Sequence, residues 1–166
     1  ITHDQRAALH LGDQLAIMDP QGELVQIGTD EDIILRPKNR FIFEFIGVTN
    51  FLPLKFIDSA YHLDLGGQMV PWPEEVPPEV GGGLPLDMGI RPNDITFDGA
   101  SPIRARVRRS VFLGSEYDYF VQAGDRELRV QQSTLDATLV GVAKEGSEVG
   151  LRFLNPHYYP AVARGA

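Results

Sequence analysis

The stretch IRARVRRSVFLGSEYDYFVQ, residues 103–122, decides the fold. Ala105 and Val107 alternate with Arg104, Arg106 and Arg108, a period-2 pattern that predicts a strand with one face buried and one solvated. Leu113-Gly114-Ser115-Glu116 then separates this run from a second apolar-aromatic one, Tyr117 to Gln122, and Gly114 allows a bulge or a positive φ between them. Working outward, strands are expected at Leu86–Arg91, Leu128–Gln131, Val149–Phe153 and Tyr158–Val162. A hairpin is expected from Phe51–Ile57 and Tyr61–Leu65, closing near Asp58-Ser59. The Pro/Gly-rich residues 71–85 read as a loop. Short strands recurring about every 10 residues predict a small barrel or sandwich.

The first 50 residues have a different texture. Asp4 to Leu11 carries a short helical pattern closed by Gly12. Leu15–Met18 and Leu24–Ile27 read as two strands joined by a turn at Pro20-Gln21-Gly22. Thr29 is a fitting N-cap for a helix opening Asp30-Glu31-Asp32, whose acids suit the helix dipole. Pro37 stops that helix, and Asn39 caps another in which Phe41, Ile42 and Phe45 share a face. After Asn50 the helical signal disappears, which puts a boundary between residues 1–50 and 51–166. Taken alone, the first segment is expected to expose apolar faces at Leu15, Ile17, Phe41 and Phe45, and so to pack on the rest of the chain, be partly disordered, or drive dimerisation or strand exchange.

Composition narrows the function. The chain has no cysteine, which excludes disulfides, cysteine zinc sites and thiol nucleophiles. Its net charge of −8, from 15 basic and 23 acidic residues, argues against a phosphate-backbone binder. With 17 Gly and 12 Pro it favours many short elements joined by turns. The longest apolar runs are about half of the roughly 20 residues a membrane helix requires. The start at Ile1-Thr2-His3, without Met or a basic region ahead of an apolar stretch, sets two expectations: no secretory signal, and a chain cut from a longer protein.

Thr2-His3-Asp4-Gln5 carries the most specific chemistry, a histidine placed to donate to an oxyanion or to water. It is followed by Ala8-Leu9, the run Gly12 to Met18, Val25-Gln26-Ile27-Gly28-Thr29, Arg36-Pro37, Asn39-Arg40-Phe41 and Glu44-Phe45-Ile46-Gly47. Together these residues resemble the end of the nucleotide-binding domain of ABC importer ATPases, in the branch serving sugar, polyamine and iron uptake. Downstream, Gly89-Ile90-Arg91-Pro92-Asn93-Asp94-Ile95 and Leu113-Gly114-Ser115-Glu116 look like two motifs of that family's regulatory TOBE domain, in the family's order.

The resemblance implies a mainly β chain: an oligonucleotide-binding-type (OB-fold-like) TOBE barrel over residues 51–166, with an α+β appendage at 1–50 from the ATPase domain. It implies that His3 is the switch histidine contacting the ATP γ-phosphate in the complete subunit. Arg91, Gly114, Ser115 and Glu116 are the regulatory-domain motif residues, with a structural role expected for them before a ligand-contacting one. ATP and Mg²⁺ are implied for the full subunit and neither for this chain alone, which has no G-x-x-x-x-G-K-[ST] loop, signature loop or acidic Walker-B strand. Implied partners are a second ATPase subunit, permease subunits and a small-molecule or protein regulator, with a place on the inner face of the cell membrane. Arg6 and Ala7 depart from the family, which usually has acidic residues there.

Two other readings compete. Arg104, Arg106, Arg108 and Arg109 with Tyr117 and Tyr119 would suit a stand-alone barrel binding single-stranded nucleic acid or a small anion. The acidic charge favours a solvated strand face instead. His3 and His10 with Asp13 would suit a metal, but no third ligand follows at fixed spacing. The transported solute is not legible in these residues.

Overall fold

The structure is a computed structural model that describes residues 2, 4, 5, 8, 9 and 13–162. The chain divides into two compact units, Ile1–Val48 and Thr49–Ala166.

In the first unit, strand β1 (Leu15–Met18) pairs antiparallel with β2 (Leu24–Gly28). Asp19 builds the turn between them, its Oδ1 accepting from the amides of Gln21 and Glu23, both at 2.9 Å. Helix α1 (Asp30–Leu35) opens with a capping box: Thr29 Oγ1 accepts from the Asp32 amide at 3.1 Å, and the Asp32 carboxylate accepts from the Thr29 amide at 3.3 Å. Those Thr29 bonds, before the nearby Arg36 charge, hold the Asp32 carboxyl below its ordinary range. Asn39 caps α2 (Arg40–Phe45) by accepting from the Ile42 amide. Gln5, Ala8 and Leu9 are helical, while Arg6, Ala7 and Gly12 lie outside the described residues.

A small core of Ile17, Ile33 and Ile42 holds the unit together, with Leu15, Val25, Phe41 and Ile46 packed on it. Ile17, expected on an exposed face, is therefore only 7% exposed, because the two helices supply Ile33 and Ile42 to cover it. Phe45 stays partly open, stacked on Phe41 at 5.7 Å.

The second unit is mainly β. One sheet runs β12-β6-β3-β4-β5 and the other β10-β9-β8-β11-β7. The first comprises β3 (Asn50–Ile57), β4 (Ala60–Asp64), β5 (Met69–Pro71), β6 (Leu86–Ile90) and β12 (His157–Pro160). The second comprises β7 (Ile95–Phe97), β8 (Arg104–Phe112), β9 (Glu116–Ala123), β10 (Arg126–Ser133) and β11 (Glu148–Phe153). The β3–β4 hairpin closes on Asp58 and Ser59, with φ of 50° and 66°, the two left-handed positions of a type I′ turn.

Both sheets feed one apolar core, with Leu52, Leu54, Met88 and Ile90 from one and Val107, Tyr119, Val121 and Val130 from the other. Every position of β6 is buried, as befits a strand paired on both sides. The ladders do not run on into one closed barrel. Instead the Asn50 side chain joins β3 to β10, as described below.

Four elements were not expected. Strand β5 ends on Pro71, where the Pro/Gly stretch begins, and that stretch is packed rather than looped: it contains a helical turn, α3 (Pro78–Gly81), and Trp72 and Val80 pack on the core. Residues Ile95–Phe97 form β7. Helix α4 (Thr134–Val140) follows β10, with Ser133 capping it by accepting from the Asp136 amide.

Candidate functional site

His3 lies outside the described residues, as does His10, so neither the switch position nor the histidine pair receives a geometry. Among the described residues no group of three His, Asp or Glu side chains is placed to hold a metal ion.

The regulatory-domain motifs occupy two clusters. In the first, Arg91 sits between β6 and a 3₁₀ turn over Pro92–Asp94, and its Nη1 donates to Thr49 Oγ1 at 3.1 Å. Burial lowers the pKa of the Arg91 guanidinium despite the opposing fields of Tyr159 and Asp94. Burial also raises the Asp94 carboxyl, pushes the Tyr159 phenol up to about 12 and, together with Arg91, lowers the His157 imidazole. Arg91 is thus a half-buried cation that ties the start of this unit to its C-terminal strand.

The second cluster is the β8–β9 turn. Gly114 has a φ of +91°, the left-handed geometry that favours glycine, and a Cβ there would meet nothing within 4 Å. The turn's carbonyls anchor α4: Thr134 Oγ1 donates to the Gly114 oxygen and the Thr134 amide donates to the Ser115 oxygen, both at 3.0 Å. Glu116 starts β9 opposite Ser133. Gly114, Ser115 and Glu116 therefore hold a hairpin and a helix together, while Arg91 serves a different junction.

A groove of about 220 Å³ that no motif flagged lies at the end of β11. Its apolar floor includes Trp72, Ile103 and Phe153, and its rim carries Glu74, Asp98 and Arg152. Within the floor, Trp72 and Phe153 are 5.7 Å apart between ring centres, and Trp72 Nε1 donates to Tyr158 Oη at 3.1 Å. A lone tryptophan between prolines was the one available signal for it in the sequence.

The basic strand does not build a base-stacking surface. Tyr119 is fully buried, its hydroxyl bonded to Gln132 Oε1 at 2.9 Å, and Tyr117 packs beside it. Arg104 pairs with Glu148 at 3.0 Å. Arg108 projects from a bulge between Val107 and Arg109.

Residues 88–158 match the family model described as TOBE domain. The chain also matches importer ATP-binding proteins over most of its length. It is 33% identical over 132 residues to the spermidine/putrescine import ATP-binding protein PotA of Pseudomonas fluorescens, covering 75% of this chain and 35% of that protein. It is 32% identical over 173 aligned residues to PotA of Thermobifida fusca, covering 96% of this chain and 43% of the relative. With the Fe(3+) ions import ATP-binding protein FbpC of Escherichia coli K12 the identity is 30% over 133 residues, 79% of this chain and 36% of the relative.

Fold and matches define the class: a mainly β TOBE domain in the C-terminal part of an ABC importer ATP-binding subunit. Within that class the chain is similar to both polyamine-named and iron-named subunits, and it spans less than half the length of each of these three relatives.

Proposed function

We propose that this chain is the C-terminal regulatory region of an importer ATPase subunit, in which residues 1–50 complete the nucleotide-binding domain and residues 51–166 form the regulatory domain. The observation that carries this reading is the reach of the similarity. The match to the Thermobifida fusca importer subunit covers 96% of the chain, so it takes in most of residues 1–50 as well as the TOBE region. The first unit supports it physically. Leu9, Leu15, Ile17, Phe41, Phe45 and Ile46 line an open cavity of about 700 Å³, an apolar surface suited to packing against the remainder of an ATPase domain.

On this reading ATP and Mg²⁺ bind in the rest of the subunit. The phosphate-cradling loop that such chemistry requires has no counterpart in these 166 residues, and the chain contributes His3 at the γ-phosphate. Two subunits sandwich ATP beneath two permease subunits, on the inner face of the membrane. On this reading contact with the membrane goes through the permease; among the described residues no helix is long and apolar enough to cross a membrane. The second unit biases the open or closed dimer in response to a small molecule or a protein. The groove at Trp72 is a candidate site in that unit for a small regulator. The transported solute is a polyamine, an iron species or a sugar, and the permease and binding protein select it.

The test is ATP turnover by the complete subunit, reconstituted with its permease in vesicles. His3→Ala is expected to lower turnover by about 100-fold or more, the loss typical of removing a proton-transferring or charge-stabilising group. Mg-ATP hydrolysis by the 166-residue chain alone, or wild-type turnover in the His3→Ala subunit, would overturn the reading.

A further inference from the structure

The groove at the end of β11 sets charges of both signs around an apolar floor. Trp72, Ile103 and Phe153 form that floor, and each is otherwise buried. One wall, residues 98–103, is bonded to β11 at three points. The Asp98 amide donates to the Gly150 carbonyl at 2.9 Å, and Ser101 Oγ donates to the Leu151 carbonyl at 2.6 Å. The Leu151 amide donates to the Ile103 carbonyl at 2.8 Å. Trp72 has no donor left for a ligand. Its amide donates to the Tyr61 carbonyl at 2.9 Å and its Nε1 to Tyr158 Oη, so it offers only the face of the ring.

The rim is different. Arg152 lies between the buried Leu151 and Phe153 on β11, so strand alternation turns it out of the core. Among the described residues neither Arg152 nor Glu74 enters an ion pair or a side-chain hydrogen bond. Elsewhere on this unit arginines and carboxylates that meet are paired, as Arg104 is with Glu148 and Arg129 with Asp118. Asp98 Oδ1 accepts from the Ala100 amide at 2.9 Å, which leaves Oδ2 for a ligand. One small groove thus holds a cation and two carboxylates with bonding capacity to spare.

We propose that this groove binds a free α-amino acid with an apolar side chain. Glu74 and Asp98 receive its ammonium, Arg152 its carboxylate, and Trp72 and Phe153 its side chain. Size and charge select this class together. At about 220 Å³ the groove is smaller than the roughly 300 Å³ at which sites for drug-sized ligands begin, so the occupant is a small metabolite. An inorganic oxyanion would meet two carboxylates and an apolar floor. A linear diamine would bring its second cation toward Arg152. A sugar would leave hydroxyls unbonded over Trp72 and Phe153. A zwitterion with an apolar side chain satisfies both signs of rim charge and the floor at once. The inference rests on the regulatory reading of the second unit and gives its groove a ligand.

Trp72 is the one tryptophan of the chain, so its fluorescence reports on the groove without a label. L-leucine is the probe, titrated into the 166-residue chain, with a dissociation constant on the order of 0.1 mM expected for so small a ligand. L-leucinamide lacks the carboxylate and 4-methylpentanoate lacks the ammonium. Each should bind about 10-fold more weakly or worse, the loss of one hydrogen bond to a charged group. Putrescine, with two cations and no carboxylate, should not displace leucine. Arg152→Gln should weaken leucine about 10-fold and leave leucinamide unchanged. Glu74→Gln should weaken leucine and leave 4-methylpentanoate unchanged. Both side chains are exposed, so urea midpoints should match the wild type, whereas a merely structural role would weaken all three probes alike. No saturable signal with leucine up to about 10 mM, by fluorescence and by titration calorimetry, would overturn the proposal. So would equal affinity for the three probes, displacement by putrescine, or a preference for leucine over leucinamide that survives Arg152→Gln. Leucine binding that leaves ATP turnover by the complete subunit unchanged would support the site and count against the regulatory reading, so the two fail separately.

Discussion

Asn50 and Arg129 join the two sheets of the second unit through a reciprocal pair of hydrogen bonds. Asn50 Nδ2 donates to the Arg129 carbonyl at 2.8 Å, and the Arg129 amide donates to Asn50 Oδ1 at 2.9 Å. A single carboxamide thus does for β3 and β10 what a ladder step does elsewhere, satisfying the outward main-chain groups of an edge strand. Asn50 is 8% exposed, so water cannot readily replace it.

Removing that amide should therefore destabilise the second unit well beyond an ordinary surface substitution. Asn50→Ala is expected to cost about 2 kcal/mol, since it strands a buried amide and carbonyl. Asn50→Asp keeps the acceptor but sets a carboxylate against the Arg129 carbonyl, and should do no better near neutral pH. Urea denaturation of the chain, comparing midpoints at constant slope, checks both.

The side chain of Arg129 makes a second bond of consequence. Its Nε donates to Asp118 Oδ1 at 2.9 Å, and the Asp118 side chain is only 7% exposed against 30% for the guanidinium. Arg129→Ala should cost about 2 kcal/mol by leaving a buried carboxylate unpaired, less than a fully buried pair because the guanidinium is partly solvated. Arg129→Lys should recover only part of this, lacking the planar fork. Thermal unfolding of the two variants provides the comparison.

Three glycines should rank by local space. A Cβ at Gly150 would lie 2.0 Å from the Asp98 carbonyl oxygen, and one at Gly124 would lie 2.4 Å from the Leu65 oxygen, so each Gly→Ala should cost about 3 kcal/mol by displacing main chain. Gly114→Ala meets open space and should cost only about 1 kcal/mol, for its left-handed φ. Equal destabilisation across the three in urea titrations would contradict this ranking.

Acid should weaken the second unit in two windows. Burial first, then the Arg91 charge, lower the folded His157 below its ordinary value of 6.5. The neutral ring is the form the fold favours, so its contribution is complete above the unfolded pKa and is lost as pH falls from there through the folded value. Asp64 is held below its ordinary value of 3.8, chiefly by Lys55 and then by the Gly66 amide. Its contribution is present above that value and lost as pH drops through the lower folded pKa. Stability measured against pH should flatten in the first window for His157→Gln and in the second for Asp64→Asn.

Oligonucleotide binding separates the surface readings. With Tyr119 buried and Arg104 paired to Glu148, a labelled oligothymidine should show no salt-dependent anisotropy change with the chain at moderate ionic strength. A clear, salt-sensitive rise would favour the nucleic-acid alternative.

Local chemistry was legible in the sequence wherever neighbouring residues settle the outcome. The Thr29 capping box, the Asn39 cap, the Asp58-Ser59 hairpin and the inward alternation of Ala105 and Val107 each depend on residues a few positions apart. Helix α4 was missed because its apolar residues point away from the core, so its pattern carries no inward stripe to detect. The packing of the Pro/Gly stretch was missed because Trp72 and Val80 find their neighbours on strands far along the chain.

The sequence by itself determined a mainly β chain with an α+β appendage, and the resemblance that placed it among importer ATPase subunits. Periodicity, turn residues and ordered motifs survive without coordinates because each is encoded over a short span. Only the tertiary structure decided that Asn50 would join two sheets 79 residues apart in sequence, and that the Gly114-Ser115 turn would anchor a helix with its leucines outward. These outcomes depend on which distant main-chain groups are left without partners once the ladders have formed. No local pattern records that requirement.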